Sequence, residues 1–182
     1  MTTVDTLTKR NTDFAAHRFR AGLSLMPTLR TMLIGCVDPR VDPAHVLGLE
    51  SGEAVVIRNI GGRITPATLR TMAMLRTIVQ VEGGNPGNGF NLIVLHHTDC
   101  GITRLEGQSD MLAGYFGIGK EQLEAKAVAD PRASVAVDVA ALKANPNLPG
   151  EWVVSGLVYD VTTGLVETVV APAPLHDGGR VA

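Results

Sequence analysis

The stretch TMLIGCVDPR, residues 31–40, decides the fold, because it is a short apolar run that stops at Asp38-Pro39. Such a run predicts a buried strand over residues 31–37 that is closed by a turn. Similar runs occur at 54–60 (AVVIRNI) and 91–96 (NLIVLH), with helix signals between them. Strands that alternate with helices favour right-handed crossovers and therefore a mostly parallel sheet.

The remaining segments complete this prediction. Asp42-Pro43 and Thr65-Pro66 are typical helix starts, since each places a capping side chain before a proline at the first helical position. The glycine after Thr162-Thr163 indicates a hairpin turn, and the tail from Ala171 is predicted to be an extended arm. We expect an α/β fold, with a mostly parallel central sheet of about five strands flanked by helices and an antiparallel edge strand. The predicted helices are 3–21, 43–49, 66–81, 121–129 and 131–145, and the last two strands are 152–160 and 165–170.

The bulk composition is that of a globular protein, with 182 residues, 45% hydrophobic residues and a net charge of −2. We expect one domain over 1–182, with an N-terminal helical arm over about 1–22. No basic excess indicates a nucleic-acid partner, and the longest apolar stretches are under ten residues, too short to cross a membrane. Because the polar N-terminus lacks an apolar signal region, we expect a cytoplasmic protein.

The two cysteines, Cys36 and Cys100, are candidate metal ligands. A reducing compartment disfavours a disulfide, so metal binding or catalysis is favoured over a pair of buried core thiols. Cys36 is expected near the end of the first strand, and His97 and Cys100 just past the end of the third. Ligands bind at the carboxyl ends of parallel strands, where all three would meet. Two thiolates and an imidazole suit zinc and leave a fourth position open.

Asp38 and Arg40 follow Cys36 in the loop after the first strand. Alone, they are typical of a turn with a solvated arginine, but beside metal ligands we expect both to face the metal. Arg40 would then keep Asp38 ionised and fixed in direction. Strand alternation sends His96 to the side opposite His97, which predicts a structural role. Asp99 has two interpretations, a hydrogen bond to a ligand or a plain turn residue.

The segments CVDPR (36–40) and HTDCG (97–101) resemble the signature of the β-class carbonic anhydrases, Cys-x-Asp-x-Arg followed by His-x-x-Cys-Gly. The resemblance extends from about residue 30 to 170, and the middle, 103–150, matches only in outline. The other matching segments are GLESGEAVVIRNIGG (48–62), LIVLHHTDCG (92–101) and VSGLVYDVTTGLVETV (154–169).

This resemblance implies specific roles for the residues in the two motifs. Cys36, His97 and Cys100 would hold Zn2+, and Asp38 and Arg40 would form a catalytic dyad. Asp38 would join the metal only in a closed state. Zinc with two thiolates is formally neutral, so Arg40 can compete with the metal for the Asp38 carboxylate and open the site.

The implied function is reversible hydration of carbon dioxide to bicarbonate by metal-hydroxide attack. Relatives that resemble this family hydrolyse carbonyl sulfide or carbon disulfide, which stay alternatives because pocket shape decides the substrate. A non-catalytic module with structural zinc is a further alternative. The family also implies a dimer or larger homo-oligomer. Pro39 and Ile60 depart from the family pattern, which more often has a small residue and an alanine at these positions.

Overall fold

Five strands and five α-helices make up the fold in a computed structural model that describes residues 1–85, 87 and 89–176. The strands are β1 (Thr31–Cys36), β2 (Ala54–Asn59), β3 (Asn91–His97), β4 (Val153–Tyr159) and β5 (Val166–Pro174). The helices are α1 (Thr3–His17), α2 (Pro43–Val46), α3 (Pro66–Val81), α4 (Ser109–Phe116) and α5 (Pro131–Lys143).

The strands form one sheet in the order β2-β1-β3-β4-β5. The pairs β1 with β2, β1 with β3 and β3 with β4 are parallel, whereas β4 and β5 pair antiparallel through a hairpin. Because β1 and β3 are neighbours, their carboxyl ends lie side by side although the long helix α3 separates them in sequence. The predicted fold class is confirmed, including the antiparallel edge strand.

One face of the sheet forms the main hydrophobic core. The strand registers place alternate residues of β1, β3 and β4 on the same face, and they pack against side chains of α3 and α5. Full burial of each such side chain contributes about 1.5–3 kcal/mol to stability. The buried members include Met32, Ile34, Leu92, Val94, Val154 and Val158 from the strands, Met72 from α3, and Val135, Val139 and Leu142 from α5.

Three helices begin where the sequence predicted. The Asp42 and Asp130 carboxylates accept hydrogen bonds from backbone N–H groups in the first turns of α2 and α5. The Thr65 hydroxyl accepts one from Thr68 N at 3.2 Å in α3. Proline occupies the first helical position each time, where no intrahelical donor is needed. The side chains at the starts of these helices therefore satisfy donors that would otherwise lack partners.

Other predicted boundaries are wrong. Helix α1 ends at His17 instead of residue 21. The helix predicted over 121–129 is replaced by two short 3₁₀ turns, and Ala127, with φ of 47°, cannot continue a right-handed helix. Helix α4, which was not predicted, ends at Gly117 in the left-handed conformation (φ 65°).

The C-terminal tail also differs from the predicted arm. Residues 171–174 belong to β5, where Ala173 pairs with Val154 and Pro174 with Val153 of β4. The following Leu175 is buried in the main core. The prolines are tolerated because β5 is an edge strand with one unpaired side. The rest of the predicted arm, residues 177–182, lies outside the described residues.

Candidate metal centre

The ends of two neighbouring parallel strands bring three predicted ligands together. Cys36 is the last residue of β1. His97 is the last residue of β3, whereas the sequence predicted that it lies just past the end of that strand. Cys100 follows in the turn after β3. Their three ligand atoms lie within 4.8 Å of one another, and all three residues are buried. They form a group of side chains with the donor atoms to hold one metal ion.

The donor set fits zinc. The Cys36 and Cys100 sulfurs lie 3.7 Å apart, and two sulfurs at about 2.3 Å from a tetrahedral zinc would be roughly 3.8 Å apart. The Nδ1 of His97 lies 2.9 Å from the carbonyl oxygen of Thr98, which fixes the ring. Its Nε2 is buried without a hydrogen-bond partner, as expected of a nitrogen that is available to a metal.

The surroundings of the two thiols shift their pKa values in opposite directions. A hydrogen bond from Cys100 lowers the pKa of Cys36 against the opposing effect of burial, and the neighbouring His97 ring and the backbone N–H groups of Asp38 and Gly61 lower it further. The hydrogen bond with Cys36 and burial together raise the pKa of Cys100. This surrounding of donors favours thiolate at Cys36, the form that binds metal.

Asp38 and Arg40 form the pair that the sequence predicted. Arg40 Nε lies 3.0 Å from Asp38 Oδ1, and its Nη2 lies 2.8 Å from Asp38 Oδ2. This hydrogen bonding lowers the pKa of Asp38 to about 2, so the carboxylate is ionised at neutral pH. Pro39 starts a 3₁₀ turn and leaves Asp38 extended (ψ 126°), with Oδ1 capping Arg40 N. Proline at this departure from the family pattern is therefore compatible with the pair.

The first of the two interpretations of Asp99, a hydrogen bond to a metal ligand, is wrong. Its carboxylate accepts hydrogen bonds from Arg40 Nη1 at 2.8 Å and from Arg104 Nη2 at 3.1 Å. The second interpretation, a turn residue, is confirmed by a left-handed backbone (φ 51°). Its side chain nevertheless connects the metal turn to the Asp38 and Arg40 pair.

The loop after β2 packs closely against the ends of β1 and β3, the two strands that carry metal ligands. A Cβ at Gly62, where φ is 68°, would lie 3.0 Å from Cys36 N, Gly35 C and Leu95 O, all of them backbone atoms. Only glycine allows this close approach to both ligand-bearing strands. Ile60, the second departure from the family pattern, is 46% exposed, and its carbonyl accepts a hydrogen bond from Tyr115.

Replacing Gly62 by alanine is expected to lower the free energy of unfolding by about 1–3 kcal/mol more than Gly48→Ala does. Gly48 is the matched control, because it has a similar φ of 66° but no heavy atom within 4 Å of an added Cβ. Denaturant unfolding of both variants measures the difference. Equal losses would show that backbone strain alone, and not the approach to Cys36, matters at Gly62.

Sequence reasoning missed Arg58, which fixes the loop that bears Asp38. Its guanidinium donates to the carbonyl oxygens of Cys36 and Asp38, both at 2.8 Å, and pairs with the Asp42 carboxylate. The available signal was its place near the carboxyl end of β2, the strand beside β1.

A buried charged group behind the centre was also missed. Arg63 donates to Asp138 through Nε at 2.7 Å, and His96 Nε2 lies 3.3 Å from the same carboxylate oxygen. The Nδ1 of His96 lies 2.8 Å from Ser134 Oγ of α5, so His96 has the structural role that strand alternation predicted. These side chains hold α5 to the back of the metal-bearing edge.

A cleft of about 340 Å³, including its open mouth, adjoins the metal ligands. It is lined on one side by His97, Cys100 and Ile102 and on the other by residues at the start of α5. Among the described residues, no helix is both long and apolar enough to cross a membrane.

The fold and the site together define a zinc enzyme of the α/β class, with its metal at the carboxyl edge of a parallel sheet. The carbonic anhydrase family model matches residues 31–166. The chain belongs to this family, in its β class.

Individual relatives agree with this assignment. β-Carbonic anhydrase 1 of Mycobacterium tuberculosis is 28% identical over 170 residues, which cover 93% of this chain and 99% of that protein. The solved carbonic anhydrase of Streptococcus mutans is 31% identical with a TM-score of 0.71, over 93% of this chain and 98% of that one. Carbon disulfide hydrolase of an Acidianus species is 25% identical over 185 residues, which cover 88% of this chain and 85% of that protein.

Proposed function

We propose that this protein is a carbonic anhydrase that interconverts carbon dioxide and bicarbonate. Cys36, His97 and Cys100 are its zinc ligands, and Asp38 and Arg40 act on the substrate side of the metal. The observation that supports this most is the pairing of Asp38 with Arg40, beside a group of three ligands that leaves a fourth metal position for chemistry. A purely structural zinc site would have four protein ligands and no use for this pair.

Each protein group has a definite task in this proposal. Zinc, when bound, supplies a Lewis acid that lowers the pKa of a water molecule toward neutrality. Asp38, ionised because its pKa is about 2, accepts a hydrogen bond from the reacting water and orients it toward the substrate carbon. Arg40 fixes the direction of that carboxylate. The buried thiolates of Cys36 and Cys100 donate charge, so we expect activity to favour alkaline pH.

A second candidate activity is hydrolysis of carbon disulfide or carbonyl sulfide. The Acidianus relative named carbon disulfide hydrolase favours it, since it covers 88% of this chain. All three substrates are small linear molecules with an electrophilic carbon, so the same residues suit each of them. Ile60 is exposed and stands where the family more often has alanine, so its apolar side chain is larger than the usual one at this position.

Stopped-flow measurement of carbon dioxide hydration by the zinc-loaded protein, at neutral and alkaline pH, tests the proposal. Assays of carbon disulfide and carbonyl sulfide hydrolysis follow on the same preparation. Protein stripped by a chelator and then reloaded with zinc is the control, and activity should disappear and return. Zinc-loaded protein that turns over a sulfur substrate but not carbon dioxide would favour the second activity. Turnover of none of the three would indicate structural zinc.

We also infer that the chain is one domain with an N-terminal arm, and that the arm packs on a second copy. Helix α1 has no buried residue, although Val4 and Leu7 on it are apolar and 67% and 55% exposed. Exposed apolar side chains on an amphipathic helix favour contact with another surface. The two free thiols further suit a reducing compartment such as the cytoplasm.

Leu7→Glu is expected to shift the protein from an oligomer toward the monomer, because it places a charge on the apolar side of α1. Lys9→Glu, at an exposed position on the opposite side of the helix, is the matched control and should leave the assembly intact. Sedimentation velocity reports the mass of both variants. A wild-type monomer, or equal effects of the two changes, would contradict the inference.

A further inference from the structure

We propose that Asp99 is a positioning residue that holds Arg40 against Asp38 and thereby keeps the Asp38 carboxylate away from the metal. The inference rests on the proposed function, since it assigns a task within the same site. It concerns a residue that lies between two ligands in sequence but does not itself bind the metal.

Arg40 is held from two sides by two carboxylates. Its Nε and Nη2 face Asp38, at 3.0 Å and 2.8 Å, whereas its Nη1 lies 2.8 Å from Asp99 Oδ2. The Nη2 also donates to the main-chain carbonyl of Asp99 at 2.9 Å. The planar guanidinium therefore has each of its three nitrogens engaged, which fixes both its position and its plane.

The backbone of the metal turn determines where Asp99 lies. Asp99 stands between His97 and Cys100, and its φ of 51° is a left-handed conformation that aspartate tolerates better than most residues. In this conformation, the carbonyl oxygen and the carboxylate of Asp99 both accept hydrogen bonds from Arg40. The ligand turn and the Asp38 and Arg40 pair are thus joined through one residue.

Arg104 completes the arrangement from the 3₁₀ turn Gly101–Leu105 that follows Cys100. Its Nη2 lies 3.1 Å from Asp99 Oδ1, the oxygen that Arg40 does not use. Both oxygens of Asp99 are therefore occupied by arginines, which restricts rotation of the carboxylate. Arg104 is 68% exposed at its side chain, so its own contribution is screened by water and small.

The consequence follows from competition for Asp38. Its carboxylate can pair with Arg40 or approach the metal, and a second anchor on Arg40 favours the pair. In the described structure Asp38 is not part of the group that could hold a metal, which comprises Cys36, His97 and Cys100. Without the Asp99 carboxylate, Arg40 would lose one of its two anionic partners and hold Asp38 less firmly. Asp38 would then occupy the open metal position more often.

Cobalt(II)-substituted protein gives a test that does not depend on turnover, because the visible spectrum of cobalt reports its ligands. Azide is the probe for the open position. Asp99→Gly keeps the left-handed backbone and the main-chain carbonyl but removes the carboxylate. We expect azide to bind about three- to tenfold more weakly to this variant, since the Arg40–Asp99 pair is half exposed and worth a modest amount. Without azide, the visible spectrum of the variant should also shift toward that of cobalt with four protein ligands.

Three further comparisons separate positioning from general damage to the turn. In an Asp38→Ala background, Asp99→Gly should leave azide affinity unchanged, because no carboxylate competes for the metal. Asp99→Asn, which retains one acceptor oxygen and tolerates the same backbone, should give an intermediate shift. It also serves as the second variant if Asp99→Gly does not fold. Arg104→Gln is the matched control and should change azide affinity by less than twofold.

Two results would overturn the inference. One is a spectrum and an azide affinity in Asp99→Gly and Asp99→Asn that match the wild-type protein. The other is a loss of azide affinity that is equally large when Asp38 is absent, since the effect would then not pass through Asp38. Failure of the proposed function would look different, as zinc-loaded wild-type protein would not hydrate carbon dioxide whatever the cobalt spectra show.

Discussion

Cys100→Ser is expected to abolish tight zinc binding and to reduce carbon dioxide hydration by at least about a thousandfold, because a metal-free site cannot lower the pKa of water. The change removes one of the two sulfurs that lie 3.7 Å apart and leaves Cys36 and His97 as an incomplete donor set. Metal analysis after dialysis gives the zinc content, and stopped-flow assays give the rate. Serine is close in size to cysteine, so the buried site changes little in shape.

Thr103→Val is the matched control for that variant. Thr103 lies in the same turn and its hydroxyl donates to the Cys100 carbonyl at 2.8 Å, but it offers no ligand to the metal. Its substitution should leave the zinc content near one per chain. If Cys100→Ser retained a full equivalent of zinc, the assignment of Cys100 as a ligand would be wrong.

Asp138→Leu is expected to lower the free energy of unfolding by about 3–5 kcal/mol, the usual effect of removing one member of a buried ion pair. Arg63 and Asp138 are 1% and 0% exposed, and Arg63 also lies over the Phe116 ring at 4.9 Å. Without the carboxylate, the guanidinium charge stays buried with no anionic partner. Denaturant unfolding at neutral pH measures the loss.

The double variant Arg63→Met with Asp138→Leu tests this explanation. It removes both charges and should recover most of the lost stability, because a well-packed apolar pair is often as stable as a buried ion pair. If the double variant is less stable than Asp138→Leu alone, the loss comes from packing or from the hydrogen bond of Ile64 N to Asp138 rather than from the unpaired charge.

The same pair predicts how acid affects stability. Burial raises the pKa of Asp138, but the hydrogen bond from His96 and the charge of Arg63 outweigh it, so the folded pKa lies below the unfolded one. The contribution of Asp138 to stability is therefore complete above about pH 4 and is lost as the pH falls through the lower folded value. The double variant lacks this group, so its stability should fall less steeply in acid.

The sheet and the ligands could be predicted because they depend on local patterns. The apolar run before Cys36 and the run before His97 each end at a turn, so both residues had to lie at the same edge of a parallel sheet. The proline-marked starts of α2, α3 and α5 were equally local signals. The segment between Cys100 and α5 was not predictable, since its short 3₁₀ turns and α4 mix polar and apolar residues without a clear period.

The support around the ligands was hidden for a different reason. Arg63 and Asp138 are 75 positions apart, and Arg40 and Asp99 are 59 apart, so no spacing rule relates them. Only the fold brings these charges together, and their distances then follow from side-chain packing. The position of Asp99 inside the metal motif marks it as a candidate, but the sequence could not show that two arginines, and not a metal ligand, are its partners.

The metal turn also bears on how the protein acquires its folded state. Cys36 and Cys100 are 64 positions apart in sequence, with β2 and α3 between them. Their sulfurs therefore come together only after β1 and β3 have paired. In a newly made chain, the three zinc ligands therefore lie close together only after the central sheet has formed. Because zinc would then bind the native state preferentially, it would stabilise that state by about 4 kcal/mol at a free concentration a thousand times the dissociation constant. Scarcity of zinc would thus reduce the amount of folded enzyme as well as the fraction of it that is active.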